Sequence, residues 1–391
     1  MSKELRELET PYFLIHEGKI DTMLESMFQS FHKYWENGIV AYTCKTFALP
    51  YLAEIMKARG GYVEVFSSGE FNLALNMGVP YEKIIFNGPV KGKEEFLEAA
   101  SHKTVINIDS MREIEWLKEC GDVQAEIGLR VNFDMETACP DETYCANEDG
   151  RFGFSYEVGD LEEALNALKE TGVTLSGLYL NCNSKTRSVN IYQAIAEMIV
   201  RIADQYELNP AYIDIGGGFI SNGDGLPAFD EYFSSVKAIL DESERLQNAN
   251  MIIEPGMTLI GSAVDYVTSV LETKEMLHNT FIQTDGSRVH IDPLFIVNPF
   301  TYRIDHVNPS TCRELVVKQT ICGFTNMEND RFLSIDNYRP IDVGDTITFE
   351  RAGAFLMGLS SMFVQFFPEI YKEKDGEIVS VKDRKVVKRN K

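Results

Sequence analysis

The sequence predicts an α/β protein: a (β/α)8 barrel of the TIM type followed by a mostly antiparallel C-terminal β domain. Three observations predict it. Between about residues 23 and 264, eight short apolar, β-branched runs alternate with helix-like segments, the order that implies parallel strands joined by crossover helices. Beyond about residue 264 the pattern changes to short alternating runs bounded by Gly, Asp and Asn. The residues with chemical potential directly follow the apolar runs, where a barrel places its functional loops.

The strand candidates are 39–42, 62–65, 83–86, 104–108, 125–131, 175–180, 212–215 and 251–253. Helix candidates lie between them at 50–59, 69–77, 94–100, 111–118, 160–171, 191–206 and 229–244. An open doubly wound sheet uses the same alternation, and the pattern alone leaves that alternative standing. In the second part, 315–322, 345–350 and 377–381 read as strands. A chain of 391 residues suits two domains, and no internal repeat or long Pro/Gly linker parts them. We divide it into a barrel over 23–264 and a β domain made of 1–22 with 265–391.

Composition removes several function classes. An apolar fraction of 44%, a charged fraction of 25%, 24 Phe and 17 Tyr belong to a globular chain with a large core. A net charge of −23 disfavours nucleic acid, whose phosphates are bound by clustered Lys and Arg. The start MSKELRELETPYF lacks an apolar signal core, and no stretch approaches the roughly 20 apolar residues that span a bilayer, so a cytoplasmic protein without membrane contact is expected. The seven Cys are irregularly spaced and read as free thiols, although Cys139 and Cys145 are near enough to pair. No spacing calls for a metal. The basic run Lys382, Arg384, Lys385, Lys388, Arg389 and Lys391 reads as a solvated tail.

Three motifs could carry chemistry. Lys45 follows the first strand in AYTCKTF, among apolar or small neighbours that would strip water from its ammonium, as a Schiff-base lysine requires. The run Ile213 to Phe219 drives a strand into Gly216, Gly217 and Gly218, where successive N–H groups can approach an anion because no Cβ intervenes. A phosphate site and a plain tight turn both fit that run. The segment Ile252 to Gly256 ends a strand on Glu254, a carboxylate suited either to an ion pair or to the nitrogen of a pyridine cofactor.

Taken together, these motifs resemble the fold-type III pyridoxal-phosphate (PLP) enzymes, specifically the ornithine/diaminopimelate decarboxylase-like group related to alanine racemase. The resemblance covers nearly the whole chain. It rests on TPYFLIH, AYTCKTF, VEVFSSGE (63–70), KIIFNGPVK (83–91), INIDS (106–110), LRVNFD (129–134), RFGF (151–154), IDIGGGF, IIEPG, CGFTNMENDRF (322–332), IDVGDTITFERAGAF (341–355) and SSMFVQFF. The resemblance implies that Lys45 carries PLP as a Schiff base, that Gly216, Gly217, Gly218 and the Gly256 backbone hold its phosphate, and that Glu254 pairs with the ring nitrogen. It also implies a homodimer in which the β domain of one subunit contributes to the other's active site.

This sequence departs from the family pattern at several positions. The histidine that stacks on the ring becomes Asn181, while Ser184 keeps the phosphate-contacting serine. Met257 stands where an arginine clamps the phosphate, and Phe355 lacks the hydroxyl of the usual tyrosine. Asn326 replaces the cysteine that reprotonates substrate, and an amide cannot act as an acid at neutral pH. Lys185 or Arg187 is then expected to supply phosphate charge, and Lys45 or Tyr179 to handle the proton. Met327 occupies a position that is acidic in diamine-forming relatives, with Asp330 nearby, so the substrate is expected to be a specialised or tethered amino acid.

The expected activity is therefore PLP-dependent amino-acid decarboxylation, with coupled transamination as a variant. An amino-acid racemase or epimerase of the same fold, and a catalytically weak PLP-binding regulatory homologue, remain as rivals.

Overall fold

The computed structural model describes residues 5, 7–47, 49–144, 149–182, 185–221, 226–297, 299–308, 314–355, 359–360 and 362–382. The chain forms two compact units, one of residues Met23–Thr258 and one of Met1–Thr22 with Leu259–Lys391.

The first unit is a closed parallel barrel. Its eight strands are Ile39–Thr43, Tyr62–Val65, Ile84–Phe86, Val105–Ile108, Glu126–Asn132, Gly177–Tyr179, Tyr212–Asp214 and Asn250–Ile253. Each pairs in parallel with the next, and the eighth pairs with the first through Ile252 and Ile39. That closure excludes the open doubly wound sheet. Strands enclosed by helices outside and side chains inside are buried on both faces, which is why they are nearly continuous apolar runs rather than alternating ones.

Helices Pro50–Ala58, Ser68–Asn76, Lys93–Ala100, Met111–Leu117, Asp160–Glu170, Val189–Gln205 and Phe229–Leu240 cover the outside, each burying one apolar face. Inside, Ala41, Ile85, Val105, Tyr212 and Ile252 form a packed cluster. A Cβ on Gly128 or Gly177 would overlap the Tyr212 side chain, so these two glycines make room for that ring in the barrel interior. Lys91 is fully buried, and its ammonium bonds Glu113 at 2.9 Å and the carbonyls of Gly88 and Asn107, also at 2.9 Å.

The second unit is a nine-stranded sheet in which six of eight strand pairings are antiparallel. The strand Tyr12–His16 lies between Val264–Glu275 and Glu369–Lys374, so segments far apart in sequence share this sheet. Lys372 and Lys374 hold Glu17 at 3.2 and 2.5 Å. Among the described residues no helix is long and apolar enough to cross a membrane.

Candidate active site

Every barrel strand delivers one polar side chain at or near its carboxyl end. In strand order these are Lys45, Glu64, Asn87, Asn107, Arg130, Tyr179, Asp214 and Glu254. The last seven are buried, and burial of so many polar groups is stable only when they satisfy one another.

The ring of side chains is hydrogen-bonded across the barrel. Tyr212 Oη donates to Asn107 Oδ1 at 2.8 Å, and Asn107 Nδ2 donates to Asn87 Oδ1 at 2.9 Å and to Asp214 Oδ2 at 3.1 Å. Asn87 Nδ2 in turn donates to Glu254 Oε1, and Tyr179 Oη reaches Glu254 Oε2 at 3.4 Å. Arg130 Nη1 lies 3.1 Å from Asp109 Oδ2, with its guanidinium over the rings of Phe152 and Tyr179.

Lys45 sits in the short turn Cys44–Thr46. Its ammonium is 3.1 and 3.2 Å from the two oxygens of Glu64 and 4.1 Å from the centre of the Phe66 ring. The expectation of dry, apolar surroundings is corrected here. The neighbours Cys44 and Thr46 turn into the protein, whereas the Lys45 side chain is 36% exposed and is answered by a fully buried carboxylate.

Glu254 and Asp214 form a coupled acid pair. Burial pushes the Glu254 carboxyl well above the usual carboxylate range, the charges of Asp214 and Glu64 push it further, and Lys45 opposes them. Burial also raises Asp214, to about 7, against the Gly216 N–H that bonds it at 2.9 Å. Burial thus favours a proton on the pair, the stronger pull being on Glu254.

The glycine run follows Asp214 directly. Gly216 and Gly218 have φ of 65° and 96°, a region that residues with a Cβ rarely enter. A Cβ on Gly217 would overlap the carbonyl oxygen of Glu254, and one on Gly216 would overlap the Asn181 side chain. Glu254 N donates to Gly216 O at 2.8 Å, and Thr43 Oγ1 donates to Glu254 O at 3.1 Å. A Cβ on Gly256 would overlap Thr46, next in sequence to Lys45. The barrel thus gathers Lys45, Asn181, Gly216, Gly217, Gly218, Glu254 and Gly256 at one end, while Ser184 lies outside the described residues.

Asn326, Met327, Asp330 and Phe355 belong to the second unit. Asn326 and Met327 line a pocket with Cys322, Thr325, Glu328 and Asp330. Asp330, which the sequence places near the substrate, lines this pocket and is also tied into its loop. It is buried, and its oxygens accept from Ser287 Oγ at 3.0 Å, Arg288 N at 2.8 Å, Thr325 N at 3.1 Å and Thr325 Oγ1 at 2.6 Å, so it holds the loop in shape. Glu328 pairs with Arg331 at 2.8 Å. Phe355 is partly exposed, with a φ of 61°. Among the described residues the cysteines are free and no metal-holding cluster occurs, and Cys145 lies outside them.

Sequence reasoning missed Glu64, Asn87, Asn107, Arg130 and Asp214 as members of the site. The signal was present: VEV, INI, LRV and YID each carry one polar residue within a run that is otherwise apolar. In a strand buried on both faces, such a residue needs polar company, which only the end of a barrel provides.

Residues 21–261 match the family described as pyridoxal-dependent decarboxylase, pyridoxal binding domain. The chain is 23% identical over 353 residues to the diaminopimelate decarboxylase of Aquifex aeolicus, covering 87% of this chain and 81% of that protein. It superposes on the crystal structure of diaminopimelate decarboxylase from M. jannaschii in co-complex with L-lysine with a TM-score of 0.85 at 21% identity, covering 98% and 92% of the two chains. The lysine/ornithine decarboxylase of Vibrio vulnificus complexed with putrescine gives a TM-score of 0.75 at 19% identity, covering 95% and 96%.

The residues gathered at the barrel end fit the cofactor that this family uses. A lysine amine is reachable from solvent, a glycine turn presents backbone without Cβ atoms at the strand end, and a buried acid pair whose proton affinity is raised stands ready for a pyridine nitrogen. With barrel, β domain and cofactor site agreeing, the chain belongs to the fold-type III pyridoxal-phosphate-dependent decarboxylases.

Proposed function

We propose that this protein removes the α-carboxylate of an amino acid as CO₂, with Lys45 holding PLP, Gly216, Gly217, Gly218 and Gly256 seating its phosphate, and Glu254 facing its ring nitrogen. Bound PLP supplies an electron sink for the electron pair that CO₂ leaves behind.

The observation that carries this reading is the fully buried acid pair Glu254–Asp214, whose burial raises both carboxyl groups above the usual carboxylate range. A carboxyl group that holds a proton opposite the ring nitrogen keeps the ring electron-withdrawing. That favours decarboxylation over racemisation, for which the resemblance places an arginine at this position. Glu64, 3.1 Å from Lys45 Nζ, holds the amine in place at the barrel end. Asn181 packs beside Gly216, and Arg130 over Tyr179 holds that phenol in place.

Substrate choice is assigned to Asn326, Met327 and the remainder of their pocket. Asp330 is committed to its own loop and Glu328 is paired with Arg331, so neither carboxylate is left to answer a distal ammonium. We therefore favour an amino-acid-derived substrate without a free distal amine, such as a specialised or carrier-tethered one. The protein acts as a homodimer in which the loop 322–330 of one subunit completes the site of the other. The free thiols suit a reducing cytoplasm.

The test is an absorbance spectrum with PLP before and after borohydride, peptide mapping, and CO₂ release from a panel of amino acids. Reduction should tag Lys45, and Lys45→Ala should abolish both the tag and the CO₂. Inverted stereochemistry with the carboxylate retained would establish the racemase instead, and a protein that stays colourless with PLP would defeat the assignment.

A further inference from the structure

We infer that Arg187 is the cation that grips the phosphate of PLP in this protein, in place of the arginine that Met257 has displaced. The inference rests on the PLP reading of the site and names the charge which that reading leaves unassigned.

A phosphate seated in the Gly216–Gly218 turn meets an unfavourable field. Asp214 lies beside the turn, its Oδ1 accepting from Gly216 N at 2.9 Å, and a phosphate near a carboxylate needs a cation to offset the repulsion. Arg187 is the cation the chain brings there. A Cβ built on Gly218 would lie 3.5 Å from Arg187 Nη1 and 2.9 Å from Tyr192 Oη, so the guanidinium and the phenol border the space that this glycine leaves empty. Tyr192 Oη in turn donates to Gly217 O at 3.0 Å, which ties the turn to the helix Val189–Gln205.

The backbone is organised to present this side chain. Arg187 has a φ of 62°, in the left-handed region that arginine seldom adopts, and its carbonyl accepts a bond from Tyr232 Oη. The short segment before the helix is knitted by Glu142. That carboxylate accepts from Thr186 Oγ1 at 2.7 Å, from Asn190 Nδ2 at 3.1 Å and from Ser188 Oγ, and Lys185 N donates to the Glu142 carbonyl at 2.8 Å. Glu142 thereby holds the residues on both sides of Arg187. Backbone strain at Arg187 is tolerated because the surrounding bonds over-determine the conformation. We assign Glu142 as a positioning residue and Arg187 as the ligand-contacting one.

The geometry distinguishes the phosphate from the rest of the cofactor, so the test measures binding rather than turnover. Equilibrium affinities of the full-length protein for PLP and for pyridoxal, which lacks the phosphate, are compared by absorbance and fluorescence titration. Arg187→Gln should weaken PLP by roughly tenfold or more, as loss of a charge-assisted pair implies, with pyridoxal affinity unchanged. Arg187→Lys should retain part of the difference, Glu142→Gln should weaken PLP less than Arg187→Gln, and Met257→Arg in the Arg187→Gln background should restore it.

Equal weakening of PLP and pyridoxal, or no change in either, would overturn the role of Arg187 while leaving PLP on Lys45 intact. A wild-type protein that binds neither compound would instead overturn the PLP reading itself, and this inference with it.

Discussion

A carboxylic acid with no solvent around it is worth more protonated than ionised, and Asp214 and Glu254 place two such groups together. The consequence is a pH dependence of known sign. The pKa of Asp214 rises from 3.8 to about 7 in the fold, so its contribution to stability is fully present below the unfolded value and is lost as pH rises through about 7. In cofactor-free protein this amounts to on the order of 4 kcal/mol at most. Thermal melts of wild type and Asp214→Asn from pH 4 to 8 should therefore diverge, with the wild type losing stability relative to the variant across that window. Parallel profiles would show that another group carries the shared proton.

At the level of elements, glycines have different duties. Gly217 faces a backbone oxygen of the neighbouring strand end, and no rearrangement of a flexible side chain can relieve a Cβ placed there. Gly172, just after the helix Asp160–Glu170, has a φ of 78° but nothing within 4 Å of the Cβ position. Gly217→Ala should cost about 3 kcal/mol or more and abolish PLP binding, whereas Gly172→Ala should cost about 1 kcal/mol and leave binding intact. Urea denaturation with PLP titration checks both.

The same contrast explains what could be read at this scale from sequence. The eight strands were legible because burial on both faces leaves an apolar run, as in Ile84–Phe86, and GGG was legible because three successive residues without a Cβ at a strand end allow a close backbone approach. The acid pair was not. Asp214 stands in the quoted motif, yet its role depends on Asn107 and Glu254, which are 107 and 40 positions away in the chain. The exposure of Lys45 was likewise hidden, since its partner Glu64 is supplied by the next strand.

On the scale of the whole molecule, the second unit leaves large apolar side chains in solvent. Leu294 and Ile296 are 61% and 76% exposed, and Met362 and Val364 are 66% and 65% exposed. Such patches on a chain with an otherwise acidic surface are typical of subunit interfaces. Sedimentation should give twice the mass of one chain, and Leu294→Asp with Met362→Asp should yield monomers that still carry PLP on Lys45 but release little CO₂. Monomers with full activity would remove the shared-site arrangement. Sequence composition pointed to solubility and to the absence of nucleic acid, but the exposed apolar segments lie in runs such as PLFIV that read equally well as core.

The join between Gly217 and Glu254 has a consequence for how this scaffold can change. On the proposed reading, one adjacent pair of strands supplies both the seat for the anionic end of the cofactor and the acid for its opposite end, and Glu254 N bonded to Gly216 O sets their separation. The barrel wall is therefore a gauge cut to a single molecule. New chemistry can be written into the segment around Arg187 or the loop at Asn326, whereas a prosthetic group of another length would require the gauge itself to be recut.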